Sequence, residues 1–399
     1  MTKIVIARMT NADFNKGEEA ILDSLLKSLS QIGDVDITVL SHCPKRVTLV
    51  HNVKAVYTGL KNIFTVARTI SKSDLFIWSG GQMLQDQSSF LDVPYHLIRV
   101  FFAEMMGVPV ALYGVEIGPL DTKIGRFFAR LALNKCDLII LRNEESKELL
   151  EKIGVLIPRI FVTADPSFLI SPDESAFERI AMNYGIKDDG YIIGIAPRKV
   201  FYKVSGFLPA TLRLKLNLMP FSFHLKYSKF KEKLAQIADY LIEEYNAQII
   251  FIPMDVAKNP RDDLVCMEIV SLMKNKNNTI MLKEELSPEE VAGIFKKMEL
   301  VIAQRLHALI LATIVNVPVI GIAASQGHDK CRIYMNTIGQ GSKCVNADEI
   351  IDDIEEEKVF RVIDDTWLRR NEIKKGLMPK LDELKKQSLS NVILVKELT

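Results

Sequence analysis

The sequence predicts an α/β protein with two Rossmann-like domains. Short apolar runs alternate with amphipathic stretches of helical periodicity along the whole 399-residue chain. Most of the apolar runs are continuous, which is typical of parallel strands buried on both faces of a sheet. A chain of this length is too long for one ordinary core and suits two domains of somewhat under about 200 residues each.

In the first half, each predicted strand ends before a polar or glycine-bearing segment. Helical periodicity fills most of the intervals and is clearest over Glu18–Gln31 and Leu91–Met106. The predicted strands are Ile4–Ala7, Asp36–Leu40, Asp74–Trp78, Val108–Tyr113, Asp137–Leu141 and Arg159–Thr163.

The pattern loosens over residues 171–190 and then resumes, so the predicted domains span 1–185 and 186–365. Helices are predicted over Lys229–Tyr245 and Ser287–Lys297. A further helix, Thr366–Gln387, lies within a terminal segment, 366–399, that can pack back on the first domain. The predicted strands of this half are Tyr191–Ala196, Gln248–Ile252, Thr279–Leu282, Leu300–Ala303 and Val317–Ile322.

The two halves share a local pattern, which suggests similar winding. A strand, a helix and the sequence Val108-Pro109-Val110 in the first half correspond to a strand, a helix and Val317-Pro318-Val319 in the second. Two such domains would form a GT-B-like architecture. Ligands would then bind at the carboxyl ends of the strands, in an interdomain cleft.

Composition excludes several classes of function. The net charge of +1 gives no global field for nucleic acid. Five scattered cysteines indicate a reducing compartment. The amino-terminal apolar run is too short for a signal peptide, so we expect a cytoplasmic protein. No metal-ligand spacing or acyl-enzyme motif occurs, so neither a metal nor a cofactor is expected.

Arg305 and His307 form the most distinctive candidate site. They follow the strand Leu300–Ala303 at a predicted helix start. A fixed cation beside a titratable imidazole suits a phosphate or carboxylate that undergoes acid–base chemistry. The alternative is a structural pair, with the arginine bound to an acid and the histidine satisfied in the core.

A second candidate is the segment from Gly80 and Gly81 to Asp86, directly after a predicted strand. Paired glycines allow the backbone to approach an anion or a sugar hydroxyl closely. The spacing matches neither a dinucleotide fingerprint nor a P-loop. A plain turn remains the alternative reading.

Further cations also follow predicted strands. Arg142 and Arg198 come directly or almost directly after strands, and Lys330 follows the segment Ser325–Asp329. Each can contact an anion at the carboxyl edge of a sheet. Alternatively, Arg142 pairs with Glu144 or Glu145, Arg198 has a similar local partner, and Lys330 is solvated surface charge.

A basic, apolar insertion is predicted at about 200–228. No acidic residue occurs from Tyr191 to Lys231, while lysines and arginines alternate with large apolar residues. This composition suits a mobile lid or a surface that contacts anionic lipid at the inner face of the membrane. An ordinary insertion packed on its own domain is the alternative.

With these motifs described, the chain resembles the polysaccharide pyruvyl transferase family over most of both domains. Three features depart from the usual pattern of the family. Glu18 stands where the family has aspartate, Glu116 replaces a small polar residue, and the loop before Lys330 is longer. The matching segments are Asn15–Glu18, Gly80–Asp86, Gly114–Pro119, Arg142 with Ser146, Thr163–Pro166, Arg305–Ala308 and Val317–Val319.

The resemblance implies a GT-B-like fold and transfer of a pyruvyl group from phosphoenolpyruvate to two hydroxyls of a sugar, as a cyclic ketal. It implies that Arg305 and His307 hold phosphoenolpyruvate, with His307 as general acid or base, and that Arg142 and Lys330 complete the anion site. The acceptor is a sugar or glycan, with a lipid-linked form left open. The alternatives are a GT-B glycosyltransferase that uses a nucleotide sugar and a non-catalytic sugar- or anion-binding protein.

Overall fold

The computed structural model describes residues 1–8, 12–31, 33–87, 89, 92–186, 190–201, 210–256, 261–324 and 329–398. The segment 325–328 before Lys330, residues 202–209 of the predicted insertion and residues 187–189 lie outside this description. The chain divides into two compact units. The first holds Met1–Leu169 and the end of the chain from Leu384, and the second holds the described residues of 170–203 and 211–383.

The first unit contains a parallel sheet in the order β3-β2-β1-β4-β6-β7-β8, with β5 paired to β6. Its strands are β1 (Thr2–Ala7), β2 (Val35–Ser41), β3 (Lys54–Tyr57), β4 (Leu75–Ser79), β5 (Gln82–Leu84), β6 (Val110–Ile117), β7 (Leu138–Leu141) and β8 (Arg159–Val162). Its helices are α1 (Lys16–Leu29), α2 (Pro44–His51), α3 (Ile63–Ile70), α4 (Asp92–Met105), α5 (Lys123–Leu133) and α6 (Glu144–Ile153).

Both faces of this sheet are buried. Val5 and Ala7 of β1 belong to one apolar core, together with residues of α4 and α5. Ile4 and Ile6, which point the other way along the same strand, belong to a second core with residues of α1. This two-sided burial is the physical reason for the continuous apolar runs in the sequence.

The second unit contains a parallel sheet in the order β11-β10-β9-β12-β13-β14. Its strands are β9 (Tyr191–Ala196), β10 (Ala247–Phe251), β11 (Thr279–Met281), β12 (Leu300–Ala303), β13 (Val319–Ala323) and β14 (Cys344–Asn346). The strand order reverses between the neighbours β9 and β12. The crevice at such a switch point is where open α/β sheets bind ligands.

The helices that follow complete the second unit and the end of the chain. They are α7 (Ala176–Tyr184), α8 (Ala210–Lys215), α9 (Phe221–Tyr245), α10 (Asp262–Leu272), α11 (Pro288–Phe295), α12 (Leu306–Ile314), α13 (Lys330–Thr337), α14 (Ala347–Ile351), α15 (Glu356–Leu368) and α16 (Arg370–Lys396). Short 3₁₀ helices cover Ala12–Phe14, Leu60–Asn62, Pro166–Leu169, Lys276–Asn278 and Gly341–Lys343. Each of the described helices is too short or too polar to span a bilayer.

The predicted fold class, two parallel-sheet α/β domains, is confirmed, but several element boundaries differ. The predicted strand Val108–Tyr113 extends to Ile117, because β6 continues through Gly114 to pair with both β5 and β7. Helix α9 begins eight residues earlier than expected, at Phe221 rather than Lys229. The predicted helix Thr366–Gln387 is two helices, which meet at Arg369.

The division into units follows Leu169, whereas the sequence placed a domain boundary after residue 185. The reason is that α7 and its preceding loop pack on α11. Asp173 N donates to Glu289 O at 2.9 Å, and Arg179 binds the carboxylate of Glu290. At the other end of the chain, Asn391 Nδ2 donates to Ala164 O at 3.1 Å, which attaches the end of α16 to the first unit.

Candidate functional site

The loops after β9 and β12 are joined directly at the switch point of the second sheet. Gln304 N donates to Ala196 O at 3.1 Å, and Arg198 N donates to Gln304 Oε1 at 2.9 Å. These bonds hold Arg198 and Arg305 at the carboxyl ends of adjacent strands. The second sheet therefore brings two of the predicted cations to one edge.

Arg305 caps the start of α12 and binds two carboxylates. Its Nε and Nη2 donate to the Asp262 carboxylate at 2.8 and 2.6 Å, and Nη2 lies 3.4 Å from Asp255 Oδ2. Asp262 is the first residue of α10 and is completely buried. The acid pairing that the sequence left open for Arg305 is thus present. It fixes the plane of the guanidinium and offsets its charge.

Asp262 has an unusual protonation equilibrium. Complete burial raises its pKa from 3.8 to about 6, because the charged form loses its solvation, and repulsion from Asp255 acts in the same direction. Arg305 and Arg198 oppose this shift by favouring the carboxylate. The charge on Asp262, and with it the pairing of Arg305, is therefore sensitive to pH around 6.

Arg198 is held differently from Arg305. It is only 8% exposed, and the described residues offer its guanidinium neither a hydrogen bond nor a salt bridge. It lies close enough to Asp262 and Cys331, at the starts of α10 and α13, to act electrostatically on both. Arg198 thus brings to this edge a cation that has no ion-pair partner within the part of the chain that the structure describes.

His307 and Lys330 stand at two helix starts beside these arginines. His307 is the second residue of α12 and is 8% exposed, and Lys330 is the first residue of α13. Cys331 Sγ donates to Gln304 O at 3.4 Å, which brings the start of α13 against the loop that carries Arg305. Helix N-termini present unsatisfied N–H groups and positive dipole ends, which favour a bound anion.

The remaining cationic candidate, Arg142, lies in the first unit. It is bound through Nε and Nη2 to Glu116 and through Nη1 to Asp165 at 2.8 Å. Although burial disfavours the charged form, the two carboxylates raise the pKa of Arg142 above its ordinary value. Its charge is therefore permanent but already balanced by local acids.

Gly81 lies beside Arg142, and Gly80 precedes it. Gly81 N donates to Glu18 Oε1 at 3.0 Å. A Cβ at Gly81 would lie 2.9 Å from that oxygen and 3.4 Å from Arg142 Nη1, so a larger residue does not fit without displacing them. Gly80 adopts a φ of 146°, a conformation that favours glycine.

Asp86 is apart from this group and stabilises a loop. Its carboxylate accepts from Asp121 N and Thr122 N, both at 2.8 Å, and from Thr122 Oγ1 at 2.6 Å. It is 1% exposed. These bonds occupy three of the roughly four acceptor positions of the carboxylate, and its contact with a substrate stays a prediction.

Sequence reasoning missed the acids that bind the arginines. Asp255 and Asp262 were not singled out, because they precede Arg305 by more than forty residues and only the fold brings them together. Glu116 was noted as a departure from the family pattern, and its position is now explained by Arg142. In the described part of the chain, no cluster of His, Cys, Asp and Glu has the arrangement of a metal site.

Comparison with solved structures shows the fold. The UDP-GlcNAc 2-epimerase of Neisseria meningitidis, bound to UDP-GlcNAc, matches with a TM-score of 0.61 and 10% identity, over 98% of this chain and 100% of that one. Anabaena Alr3699/HepE in complex with UDP-glucose gives 0.61 and 12%, over 99% of both chains. The UDP-GlcNAc 2-epimerase of Methanocaldococcus jannaschii gives 0.60 and 15%, over 91% and 92%. These likenesses identify two parallel-sheet α/β domains of the GT-B type.

Sequence comparison identifies the family. No curated protein matches the chain. The family model described as polysaccharide pyruvyl transferase matches residues 15–326, a range that includes Arg142, Arg198, Arg305 and His307 and ends before Lys330. The chain belongs to the polysaccharide pyruvyl transferase family and is a transferase.

Proposed function

We propose that this protein transfers the pyruvyl group of phosphoenolpyruvate to two hydroxyls of a sugar or glycan, forming a cyclic ketal and releasing phosphate. Family membership supports the reaction class. One structural observation carries the proposal. Arg305 and His307 open α12 beside Arg198, at the switch point of the second sheet.

The reaction balances without a metal or redox partner. Protonation of the methylene carbon of phosphoenolpyruvate produces a methyl group and leaves C2 electron-deficient. One sugar hydroxyl attacks C2 and loses its proton, and the C2–O bond to phosphate breaks with its electron pair. A second hydroxyl then attacks C2 and loses its proton, which closes the ketal ring.

The side chains at this edge suit the charges in that sequence. Phosphoenolpyruvate carries close to three negative charges, and departing phosphate needs preorganised cations. Arg198 supplies a positive charge that no carboxylate of the described residues pairs with. Arg305 supplies a guanidinium whose orientation is fixed by Asp262, and Lys330 adds an ammonium group. His307 is a residue type that can give or take a proton near neutral pH.

The proposal is tested by incubating the protein with phosphoenolpyruvate and candidate glycans. We expect phosphate release that depends on the acceptor, and a glycan product whose mass corresponds to an added pyruvate ketal. A thermal-shift screen provides the contrast with a nucleotide-sugar enzyme. Stabilisation by UDP or GDP sugars, without stabilisation or turnover by phosphoenolpyruvate, would contradict the proposal.

We propose in addition that α8 and the start of α9 contact an anionic bilayer. Large apolar side chains are exposed here, including Leu216 at 54% and Phe221 at 81%, and Lys215 lies among them. Lys226 and Lys229 pair with Asp348 and Asp353, so burial of apolar surface is the main expected contribution. This surface suits a lipid-linked acceptor.

Vesicle sedimentation tests this contact. We expect the protein to bind vesicles of phosphatidylglycerol and phosphatidylcholine, and Leu216→Ser with Phe221→Ser to weaken the binding. Phe64→Ser is the matched control, because Phe64 is 88% exposed on α3 of the first unit. Equal binding by all variants, or loss of a dimer rather than of vesicle binding, would contradict the lipid assignment.

A further inference from the structure

Gln304 occupies the junction of three loops at the carboxyl edge of the second sheet. Its backbone N–H bonds Ala196 O, its backbone carbonyl accepts from Cys331 Sγ, and its side-chain Oε1 accepts from Arg198 N at 2.9 Å. It is 1% exposed. The first two bonds are available to any residue at this position, so only the third depends on the glutamine side chain.

The other end of the carboxamide gives a further clue. Because Oε1 must face the N–H of Arg198, Nε2 is the remaining donor, and it is buried without a hydrogen-bond acceptor among the described residues. A buried donor without an acceptor lowers stability. Folding stability alone therefore does not explain why residue 304 is a glutamine. The hydrogen bond from Arg198 N to the side chain of Gln304 is the contact that only this side chain's oxygen provides.

Arg198 and Arg305 show two ways to position a cation. Arg305 is oriented by the carboxylate of Asp262, which offsets its charge. Arg198 is anchored through its backbone by a neutral amide, and the described residues provide no carboxylate partner for its guanidinium. A neutral anchor fixes the loop and leaves the positive charge available to a ligand.

We propose that Gln304 is a positioning residue of the anion site, which fixes Arg198 through this neutral hydrogen bond. The identity of the anion as phosphoenolpyruvate rests on the proposed function, whereas the link between Gln304 and Arg198 does not. A glutamate at position 304 would accept the same hydrogen bond. It would also place a negative charge beside Arg198, as Asp262 does for Arg305.

Amide hydrogen exchange tests the link without any substrate. We expect Gln304→Met to accelerate exchange at Arg198 by about tenfold, because one hydrogen bond is lost. Gln304→Glu should leave that exchange unchanged. Gln248→Met is the control, since Gln248 lies near the amino end of β10 in the same sheet and also carries an unsatisfied buried carboxamide oxygen. Unchanged exchange in Gln304→Met overturns the proposal.

A double-mutant cycle tests the effect on the anion. We expect Gln304→Met to raise the KM for phosphoenolpyruvate about tenfold, equivalent to about 1.4 kcal/mol, with kcat changed less than about threefold. In an Arg198→Met background the same substitution should have no further effect, because Gln304 acts through Arg198. If the two substitutions raised the KM independently, so that their fold-changes multiplied in the double variant, Gln304 would not act through Arg198 and the proposal would be overturned. Absence of phosphoenolpyruvate turnover in the unmodified protein would count against the proposed function, and the exchange measurement would still decide the role of Gln304.

Discussion

At the scale of single residues, two of the three arginines predicted for the site are held by acids. Arg142 and Arg305 each bind two carboxylates, which fix their orientation, whereas Arg198 is anchored through its backbone. The sequence predicted all three as site residues from their positions after strands. It could not predict their partners, because Asp165, Asp255 and Asp262 come into contact only through the long-range order of the strands.

His307 is the residue expected to transfer a proton. We expect His307→Gln to lower phosphate release from phosphoenolpyruvate by about 100-fold or more, since a positioned general acid or base contributes about that much. Binding of phosphoenolpyruvate, measured by calorimetry, should change far less. His224→Gln is the control because His224 is exposed on α9. Retention of normal turnover in His307→Gln would remove this residue from the mechanism.

Asp262 should make the stability of the protein depend on pH in a defined window. Its pKa is raised from 3.8 to about 6 in the folded state, so the folded protein binds this proton more tightly than the unfolded chain does. The resulting contribution to the free energy of unfolding is present below about pH 4 and is lost as the pH rises through about 6. Its full size is about 3 kcal/mol.

Urea denaturation between pH 4 and pH 8 measures that contribution. The free energy of unfolding of the unmodified protein should fall, relative to that of Asp262→Asn, as the pH rises from about 4 through about 6. The difference should become constant once the pH is well above 6. Curves that stay parallel throughout would show that burial does not raise the pKa of Asp262.

At the scale of elements, most strands were predictable from their apolar runs, and three were not. The strands Tyr191–Ala196 and Leu300–Ala303 match their predictions residue for residue. Strands β3, β5 and β14 were missed, and β5 lies in the glycine-bearing segment Gly80–Asp86, where the sequence offered a turn. The continuation of β6 beyond Gly114 depends on pairing with β5 and β7, which no local pattern reveals.

Helix α11 approaches its neighbour closely enough to require glycine. A Cβ at Gly293 would lie 1.9 Å from the carbonyl oxygen of Asp173. We expect Gly293→Ala to lower the free energy of unfolding by at least about 1–3 kcal/mol, because the backbone of α11 or of Asp173 must move to make room for the methyl group. Urea denaturation measures this loss.

Gly376 provides the matched control for that substitution. It is exposed within α16 and has nothing within 4 Å of a built Cβ. Gly376→Ala should raise the free energy of unfolding by about 0.5–1 kcal/mol, because alanine loses less conformational entropy in a helix. Equal effects of the two alanines would contradict the close approach of α11 to Asp173.

At the scale of the whole molecule, the sequence was sufficient for the fold class and the family. Continuous apolar strands alternating with helices require parallel sheets covered on both faces, and both units have them. The division of the chain was harder to predict. The contacts of α7 with α11, and of Asn391 with the loop after β8, join segments far apart in sequence.

The central claim is that the carboxyl edge of the second sheet binds phosphoenolpyruvate. Hydrogen exchange with and without phosphoenolpyruvate, followed by mass spectrometry of peptides from both units, tests it most directly. We expect protection in the peptides that contain Arg198, residues 304–308 and residues 329–332, where the candidate cations and helix starts lie. Phosphoenolpyruvate that leaves these peptides unchanged, or protects only peptides of the first unit, would contradict the account.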